Sequence, residues 1–355
     1  MILSSFRYNG FGWRLEEMGN IGRTNLLVGK NASGKTRTIK ALQRVVSLLL
    51  MKPVEGDERF VGATLTFRNP EDESWTMTYS FETEKGRVNK EELTVCGRML
   101  IERDSMKAAL KGETVTPPND KLLVQVRRDK EVYPEIETLM EWAEGVTVVS
   151  CSDLNPGTSL RGLSNYVSPM PFSDLVKALS DDAKKTVRAE ARELGYRVSS
   201  LNTVHANSEL KLVAVKEENV PEVLVDFQLS NGMLRVLYIL CFLEYIKTQA
   251  GQRTLLIDDL GEGLDYNRAT LLGRKVFETC EQEGVQLIAS SNDSFMMDVV
   301  DISKWQIVRR EDKTLKVMNQ ANEPELFKRF RMTGLSNFDL FSSDFIDNFL
   351  ARGKE

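Results

Sequence analysis

The stretch that decides the fold is Gly29-Lys30-Asn31-Ala32-Ser33-Gly34-Lys35-Thr36, which follows the apolar run Leu26-Leu27-Val28. Apolar side chains then recur at helical spacing over residues 36–51. A glycine-rich turn between a strand and a helix predicts a P-loop, in which backbone N–H groups and the helix dipole point at phosphate oxygens. Lys35 would supply charge to the β- and γ-phosphates, and Thr36 would offer its hydroxyl to Mg²⁺. Residues 29–36 therefore predict a nucleoside triphosphate site.

Composition narrows the class of protein. The chain has 355 residues, which is enough length for a large core. Its net charge of −5 argues against a broad surface that coats nucleic acid. Cys96, Cys151, Cys241 and Cys280 lie far apart and His205 is the only histidine, so the spacing of a zinc site is absent. The longest apolar runs are too short to span a bilayer. We expect a cytoplasmic protein with reduced thiols and no membrane contact.

A second signal is Leu229-Ser230-Asn231-Gly232-Met233, directly before an apolar helical run over residues 234–246. Ser230 or Asn231 can cap that helix, and Gly232 lets a phosphate approach the backbone closely. On its own, such a stretch predicts only the start of a capped helix. Its position after a P-loop gives it a second interpretation, as a nucleotide contact.

The third signal is Thr254-Leu255-Leu256-Ile257-Asp258-Asp259, about twenty residues further along. The apolar run predicts a buried parallel strand that ends in two acids, as a Walker B strand does. Asp258 would hold Mg²⁺ through its water shell, and Asp259 would orient the attacking water. Two acids after a strand also occur at ordinary loop starts, but a P-loop in the same chain favours the catalytic interpretation.

The patterns predict a three-layer α/β head. Residues 1–18 alternate around a hairpin turn, and residues 59–126 alternate with period two between turn-rich segments, which indicates an antiparallel β module beside a mainly parallel core sheet. Residues 173–194 have a strongly helical pattern. The predicted division is a head lobe over 1–152, a short helical insertion over 153–224, a second head lobe over 225–320 and a C-terminal helical segment over 321–355.

The order of these motifs resembles ABC-type ATPase heads of the soluble branch, namely SMC and RecF-like proteins and the AAA-like ATPases of OLD and retron or Septu-type phage-defence systems. The resemblance implies ATP and Mg²⁺ as ligands. It implies that Leu229 to Met233 is the signature, with Ser230 and Gly232 reaching the γ-phosphate bound by the opposite subunit. It also implies that Gly263-Leu264-Asp265 is the D-loop across the same interface, and that residues 285–293 are a strand and switch segment.

The chain departs from this family pattern at three places. Asp259 stands where the family usually has glutamate, and Asn292 stands where the switch histidine is expected. The metal-sensing glutamine is also unassigned, with Gln125 and the segment Ser150 to Asp153 as candidates. Because aspartate is about 1.5 Å shorter than glutamate, we expect a misplaced water and slow hydrolysis, with Asp259, Asn292 and Lys35 as catalytic residues.

The resemblance implies a homodimer, because the signature of one chain must meet the P-loop of another. The leading function is a switch ATPase that dimerises on ATP and controls an effector partner such as a nuclease or toxin in phage defence. The alternative is a RecF- or SMC-like DNA maintenance ATPase that binds nucleic acid directly, and a transporter subunit ranks last. Two basic segments support the alternative, although solvated faces are the favoured explanation for each: Lys121 with Arg127, Arg128 and Lys130, and Lys304 with Arg309 and Arg310.

The C-terminal segment is rich in apolar side chains on more than one helical face. One interpretation is a helix pair packed on the head's own core, and the other is an aromatic strip that docks a partner. The residues concerned are Leu326, Phe327, Phe330, Leu335, Phe338, Leu340, Phe341, Phe345, Ile346, Phe349 and Leu350.

Overall fold

The computed structural model of the protein describes residues 1–52, 59–105, 107–156, 170–206, 210–292, 294–334, 339 and 345–352. The strands within these ranges are β1 (Ile2–Gly10), β2 (Trp13–Met18), β3 (Thr24–Val28), β4 (Val61–Asn69), β5 (Asp72–Glu84), β6 (Arg87–Val95), β7 (Arg98–Asp104), β8 (Lys107–Leu110), β9 (Glu113–Val115), β10 (Val146–Ser150), β11 (Val198–His205), β12 (Lys211–Glu217), β13 (Val223–Val225), β14 (Thr254–Asp258), β15 (Gln286–Ser290), β16 (Trp305–Glu311) and β17 (Thr314–Met318). The helices are α1 (Lys35–Leu49), α2 (Leu123–Val126), α3 (Pro134–Glu144), α4 (Phe172–Ala178), α5 (Asp181–Glu193), α6 (Asn231–Lys247), α7 (Tyr266–Gln282), α8 (Ser294–Val299), α9 (Pro324–Thr333) and α10 (Phe345–Arg352).

The P-loop strand lies in the middle of a parallel arrangement in the order β10-β14-β15-β3-β16. Every residue of β3, β14 and β15 is buried, as continuous apolar strands covered on both faces require. Leu26 and Val28 pack with α6 and α7 on one face, while Leu27 packs with α1 and α3 on the other. The predicted three-layer α/β head is confirmed.

The antiparallel part continues this sheet rather than forming a separate one. β17 pairs parallel with β2, β2 forms the predicted hairpin with β1, and β1 pairs with β4, so that 14 strands share one sheet. The meander from β4 to β9 ends at Val115. The stretch beyond it, which the sequence assigns to the same β module, includes the short helix α2 instead.

The segment predicted as a helical insertion contains strands as well as helices. Its predicted helix is divided at Ser180 into α4 and α5. The Ser180 Oγ accepts a hydrogen bond from the N–H of Ala183 and thereby caps the start of α5. After α5, β11, β12 and β13 form a small antiparallel sheet. The apolar run Leu212 to Val215, buried along β12, is the sequence signal for it. Residues 157–169 of the predicted linker lie outside the described residues.

The C-terminal helices pack on the head's own core. Leu326, Phe327 and Phe330 of α9 are buried, and the Phe330 ring meets the Phe345 ring edge-on at 5.6 Å between centroids. Ile346 is also buried in this cluster. These contacts favour the self-packed interpretation for the residues concerned. Leu335, Phe338, Leu340 and Phe341 lie outside the described residues.

A buried ionic network fixes the start of α2 to the β meander. The Glu91 carboxylate accepts hydrogen bonds from the N–H groups of Leu123 and Val124, at 2.6 and 3.2 Å, and from the Tyr79 hydroxyl at 3.1 Å. Arg103 lies 3.8 Å away with its side chain fully buried, as that of Glu91 is. Burial raises the pKa of Glu91, and the hydrogen bonds and Arg103 oppose that change. The network thus closes one end of the meander around a pair of buried charges.

We predict that Glu91→Ala lowers the free energy of unfolding by about 3 kcal/mol, because it leaves the Arg103 charge without its partner carboxylate. The matched control is Glu92→Ala, since Glu92 faces the other way and forms a partly exposed ion pair with Lys90. We expect the control to cost less than about 1 kcal/mol. Urea unfolding of both variants measures the difference, and equal midpoints would show that the network contributes little.

Candidate nucleotide-binding site

The P-loop is pressed against the β16–β17 hairpin. A Cβ on Gly29 would lie 2.5 Å from the Val308 carbonyl oxygen, and a Cβ on Gly34 would lie 2.6 Å from Leu315 Cδ2. Gly34 also has a φ of +109° and forms the start of α1. Glycine is required at both positions because any side chain would displace the loop. The two glycines therefore allow the loop to pack closely against the hairpin at the carboxyl end of β3.

The interior of the loop offers polar atoms that suit a phosphate. No side chain in the described part of the chain caps α1, so its first N–H groups face the loop. The Ser33 Oγ is buried and has no hydrogen-bond partner among the described residues. Ala32 has a φ of +62°, which turns the chain between the exposed Asn31 and the buried Ser33. An uncapped helix start and an orphaned hydroxyl fit an anion with several oxygens.

Lys35 points into the same loop. Its side chain is buried, and its Nζ donates hydrogen bonds to the Gly29 carbonyl at 2.7 Å and to the Lys30 carbonyl at 3.3 Å. Burial lowers the pKa of Lys35, whereas the nearby carboxylates of Asp259 and Asp258 raise it. The ammonium therefore lies between the loop and the two acids, where a terminal phosphate would meet both.

The two predicted metal ligands are in contact. The Thr36 Oγ1 donates a hydrogen bond to Asp258 Oδ1 at 3.1 Å, although the residues are 222 positions apart. Among the described residues, no group of three His, Cys, Asp or Glu side chains could hold a metal alone. Mg²⁺ suits such a site, because it is commonly bound by one or two protein oxygens together with substrate phosphates. The donor set fits Mg²⁺ with a nucleotide.

Asp259 has an unusual backbone conformation, and its carboxylate accepts a hydrogen bond from a neighbouring side chain. Its φ is +57°, a left-handed conformation that aspartate tolerates better than most residues. Asn292 Nδ2 donates a hydrogen bond to Asp259 Oδ1 at 2.8 Å, so the predicted base and the predicted switch residue touch. Burial raises the pKa of Asp259, and the carboxylates of Asp258 and Glu262 raise it further. A carboxyl with a raised pKa is a better proton acceptor for water.

The predicted signature and D-loop residues lie at two helix starts. Ser230 caps α6 through a hydrogen bond from the Met233 N–H at 3.3 Å. Asp265 caps α7 and pairs with the Arg268 guanidinium at 2.8 Å. A Cβ on Gly232 would lie 3.5 Å from the Gly263 carbonyl oxygen, so the two loops adjoin. Ser230 and Asp265 are exposed at these helix starts.

Two further side chains make buried hydrogen bonds around the candidate site, and the sequence analysis missed both. The buried Arg235 of α6 donates hydrogen bonds to the Glu262 carbonyl at 2.8 Å and to the Leu154 carbonyl at 3.1 Å. The only signal for it was a charged side chain near the start of a helix whose following residues, 236–243, carry no charge. Ser290, at the end of β15, bonds both acids. A serine in a buried strand gave no signal of its own.

Gln125 is not the metal-sensing residue. Its Nε2 donates a hydrogen bond to the Leu48 carbonyl at 2.7 Å, near the end of α1 that is far from Thr36. With a rise of about 1.5 Å per residue, the helix places that end about 18 Å from the P-loop. The other candidate segment lies beside the site: Ser150 pairs in register with Asp258, and the Cys151 N–H donates to the Asp258 carbonyl at 2.9 Å.

Three residues of the two basic segments, Arg128, Lys130 and Lys304, form ion pairs with acids. Arg128 pairs with Glu137 at 2.8 Å and with Glu144 at 2.7 Å, and Lys130 pairs with Glu141 at 2.6 Å. Lys304 likewise pairs with Glu281 at 3.2 Å. These ion pairs favour solvated faces over a nucleic-acid groove at these positions.

The remaining predictions concern His205 and Asp293. His205 is exposed at the end of β11, where it pairs in register with Lys211. This position favours the structural interpretation of the histidine. Asp293, in the predicted switch segment, lies outside the described residues.

Two solved structures resemble the chain over most of its length. One is an Smc head bound to the C-terminal winged-helix domain of ScpA, with a TM-score of 0.55, 13% identity, and coverage of 90% of this chain and 98% of that chain. The other is an Smc head with an extended coiled coil bound to the C-terminal domain of ScpA from Pyrococcus furiosus, with a TM-score of 0.52, 11% identity, and coverage of 93% and 99%. The chain has the fold of an SMC head.

No family model and no curated protein matches the chain. None of the helices in the described ranges combines the length and the apolar character needed to cross a bilayer.

We predict that Gly29→Ala weakens ATP binding by at least about tenfold, because the new methyl group meets the Val308 carbonyl and must displace the loop. The matched control is Gly19→Ala, where the nearest atom to a Cβ is 3.6 Å away. The control should bind ATP as the natural protein does. Isothermal titration with Mg-ATP provides the measurement, and equal affinities would contradict the assigned loop.

Proposed function

We propose that the protein is an ATPase of the ABC type, which binds Mg-ATP, dimerises on it, hydrolyses it slowly and thereby controls a partner protein. The observation that carries this proposal is the contact between Thr36 and Asp258 directly beside Lys35. It brings the P-loop and the Walker B strand to one point, as phosphoryl transfer to water requires.

Each residue has a distinct part in the reaction. Lys35 and the loop N–H groups bind the phosphates, while Thr36 and Asp258 would hold Mg²⁺, which supplies positive charge against the phosphate oxygens. Asp259 accepts a proton from the attacking water. Asn292 holds the Asp259 carboxylate and can also donate to the γ-phosphate. Unlike a histidine, it cannot supply an imidazolium charge.

Slow hydrolysis follows from the length of Asp259. A water misplaced by about 1 Å can lose about 100-fold in rate, or about 2.7 kcal/mol on the barrier. Binding rests on the P-loop and Mg²⁺ and is therefore independent of this loss. Such a site keeps ATP bound for a long time, as a latch or sensor would, rather than driving rapid cycles.

Dimerisation is supported by the position of Ser230 and Asp265 at exposed helix starts. In the ABC arrangement the signature of one chain meets the nucleotide of the other, so each site needs two chains. Both Smc heads were solved with a ScpA domain, which supports the idea that a head of this fold also engages a separate protein. We propose an effector partner in phage defence, as the resemblance to OLD, retron and Septu-type ATPases implies.

The second proposal is a DNA maintenance ATPase that binds DNA directly. The SMC-head fold supports it, but the ion pairs of Arg128, Lys130 and Lys304 oppose it. DNA-stimulated hydrolysis that weakens steeply with salt distinguishes this function from control of an effector.

For dimerisation, we predict that the Asp259→Asn protein is a monomer without nucleotide and a dimer with saturating Mg-ATP, because it retains ATP without hydrolysing it. Light scattering measures the mass. Adding Ser230→Arg should keep the protein monomeric while Mg-ATP still binds, since the signature alone is changed. If the Asp259→Asn protein remains a monomer at saturating ATP, the dimer proposal is wrong.

For hydrolysis, we predict slow single turnover in the natural protein, faster turnover in Asp259→Glu and almost none in Asp259→Asn, with tight Mg-ATP binding in all three. The glutamate variant should also lose about 1 kcal/mol of stability, because residue 259 has a left-handed backbone. Rapid quench of ³²P-ATP hydrolysis measures the rates. Brisk turnover in the natural protein that glutamate slows would show that the site is built around aspartate.

A further inference from the structure

Ser290 occupies the point where the two acids of the candidate site meet. Its side chain is fully buried, at 0% exposure, at the end of β15. Its Oγ donates a hydrogen bond to Asp258 Oδ1 at 2.6 Å and accepts one from the Asp259 N–H at 3.0 Å. One hydroxyl group thus bonds the side chain of the predicted metal ligand and the backbone of the predicted base.

The directions of these two bonds are fixed by the chemistry of serine. A hydroxyl has a single proton, and a carboxylate oxygen can only accept it. The backbone N–H of Asp259 can only donate, so it takes a lone pair of the same oxygen. The short contact to Asp258 is of the charge-assisted kind, which is roughly twice as strong as a neutral hydrogen bond. The Ser290 hydroxyl therefore makes both hydrogen bonds at once, one as the donor to Asp258 and one as the acceptor from Asp259.

Both acids need this support. Asp258 Oδ1 receives a second hydroxyl donor from Thr36, so two donors from different elements fix the plane of one carboxylate. Asp259 has a φ of +57°, a left-handed conformation that is strained in most residues and persists only where the surroundings hold it. The bond from its N–H to Ser290 is such a restraint.

The same strand end also holds the other end of Asp259. Asn292 follows Ser290 by two positions and donates to the Asp259 carboxylate at 2.8 Å. Asp259 is thus held at its N–H by Ser290 and at its carboxylate by Asn292. Displacement of β15 relative to β14 would therefore move the backbone and the carboxylate of Asp259 together.

We propose that Ser290 is a positioning residue, which orients Asp258 toward Mg²⁺ and fixes the backbone from which Asp259 meets the water. The inference rests on the proposed function, because it assigns Ser290 a role in that same site. Loss of the hydroxyl should weaken the contribution of Mg²⁺ to ATP binding and lower kcat, while phosphate binding by the P-loop is unaffected.

The chain supplies a matched control in the neighbouring residue. Ser291 is equally buried, at 0% exposure, and its Oγ donates to the Leu260 carbonyl at 2.8 Å. Ser290→Ala and Ser291→Ala each remove one buried hydroxyl from the same strand end. Both should lower the urea midpoint of unfolding by a similar amount, because each variant loses one buried hydrogen-bonded hydroxyl. The Ser290 hydroxyl is the one that bonds both acids of the site.

The test compares ATP affinity in EDTA with ATP affinity in Mg²⁺, and the Mg²⁺ concentration for half-maximal hydrolysis, in the natural protein and both variants. For Ser290→Ala we expect an unchanged affinity in EDTA, a half-saturating Mg²⁺ concentration raised by about 10-fold or more, and a lower kcat. Ser291→Ala should keep the EDTA affinity and the half-saturating Mg²⁺ concentration of the natural protein. Urea midpoints confirm that both variants are folded to the same degree.

The outcomes separate the two proposals. If the natural protein binds no ATP in either condition, the proposed function is wrong. If the natural protein binds Mg-ATP and the two variants show the same Mg²⁺ dependence, Ser290 contributes only packing, and the positioning role is overturned. A Ser290→Ala protein that loses affinity equally in EDTA and Mg²⁺ would also overturn it, because the damage would then lie in the P-loop.

Discussion

The site depends on the parallel register of β3, β15 and β14. Leu26 pairs with Ala289, and Ile257 pairs with the same residue from the other side, so the three strands end within one residue of each other. Thr36 and Asp258 meet only because of this alignment. A slip of one residue would turn each side chain to the opposite face of the sheet. The burial of both faces excludes such a slip, so the packing of the core sets the geometry of the chemistry.

The sequence predicted the parts of this site whose signals are local. The P-loop, the capped start of α6 and the acidic end of β14 each occupy fewer than about ten consecutive residues, over which spacing and turn chemistry determine the structure. The β11–β13 sheet was missed because its strands lack clean alternation: β12 is buried on both faces over most of its length. Gln125 was one of two candidates for the metal-sensing residue for a related reason. Nothing local shows that its side chain would meet the far end of α1.

The roles of Ser290 and Arg235 lay beyond sequence reasoning because both depend on pairing between distant segments. Ser290 bonds acids 32 and 31 positions away, and Arg235 bonds carbonyls 27 and 81 positions away. A serine at a strand end is compatible with many environments. An arginine inside an apolar helix is compatible with few, because a buried guanidinium must find several hydrogen-bond acceptors. The second kind of anomaly is therefore the more informative one to search for in a sequence.

The two departures from the family pattern in this site form one structural unit. Asp259 is shorter than glutamate and Asn292 is shorter than histidine, yet the two side chains meet at 2.8 Å. The left-handed backbone of Asp259 makes this contact compatible with aspartate, whose short polar side chain suits that conformation, and disfavours a longer carboxylate there. Ser290 fixes that backbone from β15, the strand that leads into Asn292. A change at either residue would therefore have to be accommodated at the other, because Asn292 holds the carboxylate whose backbone Ser290 restrains.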